Sequence, residues 1–90
     1  MILVPELRLA WEYNAWEDYR YWQGVDRRIL KRINSLIDAC LRDPYKGIGK
    51  PEQLKHTASG VWSRRITDEH RLVYLVEGDT LIILQLRYHY

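Results

Sequence analysis

The chain has one cysteine, three prolines, one methionine and no phenylalanine in its 90 residues. The lone Cys40 excludes an intramolecular disulfide and fits a reducing compartment. One cysteine and three scattered histidines also lack the ligand spacing that zinc requires, so a zinc site is not expected. Long apolar runs are missing too. The opening Met1-Ile2-Leu3-Val4 is cut off by Pro5-Glu6, far short of a signal-peptide core or a membrane span, and the chain is expected to be cytosolic with no membrane association. Charge of one sign is scarce: the formal net charge of +2 gives no global field of the kind that marks a nucleic-acid binder. Repeats, linkers and low-complexity tracts are absent, and the length suits one small domain over residues 1–90.

Apolar residues at 47% and charged residues at 29% place the chain among folded globular domains and away from disorder. Four tryptophans and seven tyrosines supply amphipathic rings that can build a core or stack on bases. The charge is unevenly distributed. Residues 1–45 balance seven basic against seven acidic side chains, whereas residues 46–90 carry seven basic and five acidic. Most of that excess lies between Lys46 and Arg71, with His56 and His70 beside it. A basic stripe of this kind suits a phosphate backbone, and Lys50, Lys55, Arg64 and Arg65 are its candidate RNA contacts.

Leu7-Arg8-Leu9-Ala10-Trp11 alternates as a half-buried strand does. Asn14 and Glu17 have the spacing of a capping box, which predicts a helix from Ala15 to about Gln23, with Trp16, Tyr19 and Trp22 on one face and Gly24 as its breaker. Asp26 then caps a second helix. Ile29, Ile33, Leu36, Ile37, Cys40 and Leu41 form its apolar stripe, and Asp43-Pro44 ends it. Residues 45–60 read as one loop punctuated by Gly47, Gly49, Pro51 and Gly60; loops of that length are often functional. The remainder is strand material: 61–66, 71–76 and 80–87, with a tight turn at Glu77-Gly78-Asp79. These elements predict an α+β domain in which two N-terminal helices cover a small, mainly antiparallel sheet in the order β-α-α-β-β-β, the first strand lying at an edge.

The chain ends Leu86-Arg87-Tyr88-His89-Tyr90 after the apolar run Leu81-Ile82-Ile83-Leu84, so the terminus reads as ordered and as holding an imidazole in place. Metal-free RNA cleavage by the 2′-hydroxyl needs a base, positive charge on the scissile phosphate, and an acid for the leaving oxygen. Glu52, the arginines Arg64, Arg65 and Arg71, and His89 supply one of each. His56 and His70 read as loop and turn residues.

Gly49-Lys50-Pro51-Glu52-Gln53-Leu54-Lys55-His56, then Gly60-Val61-Trp62-Ser63-Arg64-Arg65-Ile66-Thr67-Asp68-Glu69-His70-Arg71-Leu72-Val73-Tyr74, then Arg87-Tyr88-His89-Tyr90 closely resemble the YoeB branch of the Txe/YoeB toxins, in the RelE/ParE superfamily. Trp11, Trp16-Glu17-Asp18-Tyr19, Tyr21-Trp22-Gln23, Asp26-Arg27-Arg28-Ile29 and Lys31-Arg32-Ile33-Asn34 extend the resemblance, which covers essentially Leu7 to Tyr90. It departs only at the start, where residues 1–6 precede the usual beginning of family members. The resemblance implies a RelE-like fold and the toxin of a type II toxin–antitoxin pair. Such a toxin cuts messenger RNA in the ribosomal A site, is neutralised by a YefM-like antitoxin, and forms a dimer. It also implies roles: Glu52 as general base, His89 as general acid, Arg71 on the phosphate, Tyr90 orienting the reacting groups, and Lys55 and Arg65 lining the same site. The rivals are a ParE-like toxin of the same fold that poisons a protein such as gyrase, and an RNA-binding module without catalysis.

Overall fold

The computed structural model describes residues 7–55 and 59–88. Its elements run β1 (Arg8–Trp11), α1 (Tyr13–Val25), α2 (Arg27–Arg42), β2 (Glu52–Gln53), β3 (Val61–Arg65), β4 (Arg71–Glu77) and β5 (Thr80–Gln85). The strands make one sheet in the order β1-β5-β4-β3-β2. The edge strand β1 pairs in parallel with β5 and the other neighbours are antiparallel. The α+β architecture expected from the sequence is therefore present, with one added strand, β2.

Asp26 separates the two helices by serving both. Its main-chain N–H donates to Trp22 O at 3.1 Å and closes α1. Its carboxylate accepts from Arg28 N at 2.9 Å and Ile29 N at 3.2 Å, capping α2. The expected breaker, Gly24, lies inside α1 and does not end it; one glycine in the last turn costs about 1 kcal/mol against alanine, which tertiary contacts override. The capping box at Asn14 is not formed either. Glu12 occupies the N-cap position without a side-chain bond, and Asn14 Nδ2 instead donates to Leu84 O on β5.

Helix α2 buries Ile33, Leu36, Ile37 and Cys40, the stripe its periodicity predicts. Helix α1 faces the sheet through Ala15, Asp18 and Trp22, while Trp16 is 41% exposed, meets Trp11 edge-on and stacks with Tyr19 at the rim, not in the core. The sheet contributes Leu72, Tyr74, Leu81 and Ile83, all fully buried, and Leu86 completes the same core. Burial pushes the Cys40 thiol up to about 11, against the opposing pull of the Arg64 guanidinium. A thiol-alkylating reagent at mildly alkaline pH is thus expected to spare Cys40 in the native protein and to modify it after denaturation, as read by mass spectrometry. Equal rates in the two states would mean that the α2 core opens readily. None of the described helices is long and apolar enough to cross a membrane.

Two further departures from the expected boundaries shape the candidate site. Strand β5 ends at Gln85, not Arg87. There Asp18 Oδ2 accepts from Leu86 N and Trp22 Nε1 donates to Leu86 O, each at 3.0 Å, so helix α1 takes the backbone groups that would have continued the ladder. The long loop is also less irregular than its sequence suggests, because Glu52 and Gln53 pair with Ser63 and Trp62 of β3.

Candidate active site

Strand register decides which side chains can meet. Glu52 is opposite Ser63, Ser63 is opposite Val73, and Arg65 is opposite Arg71. Directly paired residues project from the same face of a sheet, so Glu52, Ser63, Arg65 and Arg71 share one side. On that side Arg71 Nη1 donates to Glu52 Oε1 at 2.7 Å and lies 3.4 Å from Ser63 Oγ. The Arg71 side chain is 21% exposed and that of Glu52 58%, so the pair is open to a ligand from solvent. The base and the phosphate-binding cation expected from the sequence are thus in contact, with Glu52 held in a strand where a free loop was expected. Arg65 is exposed on the same face, and Lys50 and Lys55 are exposed on the chain just before and just after β2.

Arg64 corrects the sequence expectation. Its neighbour Arg65 faces solvent, and strand alternation turns Arg64 to the opposite side, where it is fully buried. Its guanidinium donates to Asp43 O at 2.7 Å, Lys46 O at 2.9 Å, Ile48 O at 2.9 Å and Tyr74 Oη at 3.3 Å. These bonds use four of its five N–H donors, and its burial keeps RNA from reaching it; it is the peg around which the 43–49 segment folds. Tyr74 Oη in turn donates to Pro44 O, and burial raises the phenol well above its ordinary range while Arg64 opposes that rise. The segment must pass close to the core. At Gly49, where φ is +83°, a Cβ would come within 2.6 Å of Leu36 Cδ2 and 3.1 Å of Arg64 Cβ, and Gly49 O accepts from Arg65 N at 2.7 Å. Lys50 follows at φ 51°, a strained value for a side-chain-bearing residue, immediately before the chain enters β2 and presents Glu52.

The C-terminal end of the described chain comes to the same region. Arg71 N donates to Tyr88 O at 2.9 Å, and Tyr88 N donates to His70 Nδ1 at 2.8 Å. Tyr88 has φ 59°, in the left-handed region that a tyrosine avoids unless its surroundings hold it there. His89 and Tyr90, the expected acid and orienting residue, lie outside the described residues, as do His56 and residues 1–6.

Two contributors were not found from sequence. His70 was assigned to a turn, which it does help build: Thr67 Oγ1 accepts from His70 N and His70 O accepts from Ile66 N. Its ring contact with the tail depends on a partner 18 residues away, and no local pattern signals that. Arg87 lies with its guanidinium carbon 3.8 Å from the centre of the Tyr21 ring, beside a cleft of about 320 Å³ lined by Asn14, Asp18, Gln85, Arg87 and Tyr88. Among the described residues no three of His, Cys, Asp and Glu come together in a way that could hold a metal ion.

Residues 11–90 match the family described as the YoeB-like toxin of bacterial type II toxin–antitoxin systems, which sets the class: a type II toxin. The Toxin YoeB of Escherichia coli (strain K12) is 57% identical over 84 residues, covering 93% of this chain and 100% of the relative. Among solved structures, the YoeB dimer from Staphylococcus aureus superposes with TM-score 0.87 at 44% identity, over 93% of this chain and 98% of that one. The YoeB-YefM complex from the same organism superposes with TM-score 0.84 at 42% identity, with the same coverage of each. The chain belongs to the YoeB family.

Proposed function

We propose that this toxin is a ribosome-dependent endoribonuclease that cuts messenger RNA in the A site, in contact with ribosomal RNA, and so inhibits translation. The observation that carries this reading is the contact of Arg71 with Glu52, at 2.7 Å on one open face, with the backbone of Tyr88 bonded to Arg71 one residue before His89. Glu52 takes the proton from the 2′-hydroxyl, and the 2′-oxygen attacks the adjacent phosphorus. Arg71 has five N–H donors in a planar fork, so it can keep Glu52 oriented while it neutralises the charge that builds on the phosphoryl oxygens. His89 gives a proton to the departing 5′-oxygen and Tyr90 orients the reacting groups. The products are a 2′,3′-cyclic phosphate and a 5′-hydroxyl end. Lys50, Lys55 and Arg65 bind the flanking RNA backbone electrostatically.

A YefM-like antitoxin is the proposed inhibitor, and a homodimer the proposed free form; the Staphylococcus aureus complex and dimer support both. The reading is tested by mapping cut sites on messenger RNA in a reconstituted translation reaction. Cuts at A-site codons with 5′-hydroxyl ends are expected only when ribosomes are present. Intact messenger RNA together with inhibited DNA supercoiling by gyrase would replace this reading with the ParE-like one.

The role given to the tail has its own test. A C-terminal tag adds chain next to His89 and Tyr90 and hinders the roles proposed for them, so a tagged protein is expected to lose most cleavage while still folding and still binding ribosomes. Full activity with the tag in place would remove the tail from the mechanism.

A further inference from the structure

We propose that His70 is a positioning residue, which accepts the Tyr88 main-chain N–H on Nδ1 and thereby fixes the backbone from which the proposed acid, His89, continues. The inference rests on the proposed role of His89. Four observations carry it. The His70 side chain is only 12% exposed. Its ring is held edge-on by Trp22, with centroids 4.8 Å apart, and it meets the Tyr88 ring at 5.2 Å. The 2.8 Å bond from Tyr88 N makes Nδ1 the acceptor, so the ring proton sits on Nε2, the nitrogen 3.9 Å from Glu69 Oε1. Tyr88 adopts its left-handed backbone at the residue whose N–H and C=O are tied to His70 and Arg71.

Trp22 links this contact to the rest of the tail. Its ring packs on His70 while its Nε1 donates to Leu86 O, and one turn earlier on α1 Asp18 accepts from Leu86 N. The backbone of residues 86–88 is therefore gripped from one side by α1 and from the other by the start of β4. Chain direction beyond Tyr88 follows from its φ and ψ, and a positive φ held by bonds on both sides of the residue leaves little freedom in either. Without the acceptor at Nδ1, Tyr88 is free to return to an extended backbone. A shift of about 1 Å in a reacting group can cost on the order of 10²-fold in rate.

Two substitutions separate the hydrogen bond from the packing. His70→Phe keeps a ring against Trp22 and removes the acceptor; His70→Asn places an amide oxygen near the Nδ1 position and gives up the ring. In single-turnover cleavage of messenger RNA on programmed ribosomes, the Phe variant is expected to lose on the order of 100-fold in the cleavage rate with its half-saturating concentration unchanged, and the Asn variant to stay within about fivefold of wild type. Hydrogen exchange at the Tyr88 amide, measured on the free protein, is expected to be slow in wild type and the Asn variant and fast in the Phe variant. A fully active Phe variant, or an Asn variant as impaired as Phe, overturns the proposal. If the Phe variant melts below the assay temperature, the Asn variant decides: retained cleavage and retained Tyr88 protection support the proposal, and loss of either overturns it. If wild type does not cleave at all, the nuclease reading fails, and the exchange data still settle whether His70 holds the tail.

Discussion

Arg71→Ala is expected to lower messenger RNA cleavage by roughly 10²–10³-fold, the usual effect of deleting one donor to a developing oxyanion, while the protein melts almost as wild type does. The two halves of this expectation have separate causes. The stability half follows from exposure: Arg71 pairs with a carboxylate that is 58% exposed, and ion pairs so open to solvent contribute about 0–1 kcal/mol. In a domain of this size that corresponds to a melting shift of no more than about 8 °C. The activity half follows from the proposed mechanism, in which the guanidinium that holds Glu52 at 2.7 Å also neutralises the phosphate charge. Arg71→Lys separates these duties. A lysine keeps the charge and loses the planar fork that can serve a carboxylate and a phosphate together, so it should recover only part of the rate. Circular dichroism melts beside single-turnover cleavage make the comparison, and an Arg71→Ala protein that cleaves normally would move the catalytic centre elsewhere.

How much of this was legible in the sequence depends on whether the cause was local. Helix α2 could be read because its apolar stripe, its Asp26 cap and its Asp43-Pro44 stop are properties of consecutive residues. The β4–β5 hairpin could be read for the same reason, with Glu77 paired to Thr80 around Gly78 at φ +63°. The end of β5 could not, because it is imposed by Asp18 and Trp22, 68 and 64 residues earlier in the chain. Strand β2 was invisible because two residues carry no periodicity, although it is what holds Glu52 opposite Ser63. The rim aromatics show a different limit: spacing placed Trp16, Tyr19 and Trp22 on one face of α1, but only packing could say that the buried face runs through Ala15, Asp18 and Trp22. Residue chemistry offered Glu52 as a base and three arginines for the cation, and family resemblance singled out Arg71 among them.

Arg64 and Arg65 are the sharpest case. A stripe of positive charge groups them, yet they are adjacent in a strand, and a period of two sends them to opposite faces. That rule was available from the sequence and points to one residue facing solvent and one facing the helices. What it could not supply was the use made of the second. A buried guanidinium needs acceptors for its donors, and here they are main-chain carbonyls of the 43–49 segment, which returns to Arg64 from the end of α2.

Arg64→Ala is therefore expected to be the most destabilising single change in the protein. Hydrogen bonds to a charged group contribute about 1.5–3 kcal/mol each, and the substitution removes those to Asp43 O, Lys46 O, Ile48 O and Tyr74 Oη together. Because the bonds are not additive, a loss of about 3–5 kcal/mol is the reasonable expectation against a total of about 5–15 kcal/mol for such a domain. The melting temperature should fall by at least about 10 °C. An apolar residue of similar volume should not rescue it. Buried ion pairs can often be replaced by hydrophobic groups at no loss, but the partners here are backbone carbonyls that would stay behind without donors. Arg64→Met should accordingly melt close to Arg64→Ala, and Arg64→Lys, with one ammonium for acceptors spread around a fork, should recover only part of the difference. The substitution also reaches the active site indirectly, since Gly49 and Lys50 lead straight from the Arg64 peg into β2. At temperatures where Arg64→Ala is still folded, cleavage should decline through displacement of Glu52, and limited proteolysis should first cut within residues 43–50. An Arg64→Ala protein with the wild-type melting temperature and an uncut segment would return Arg64 to the surface and to RNA.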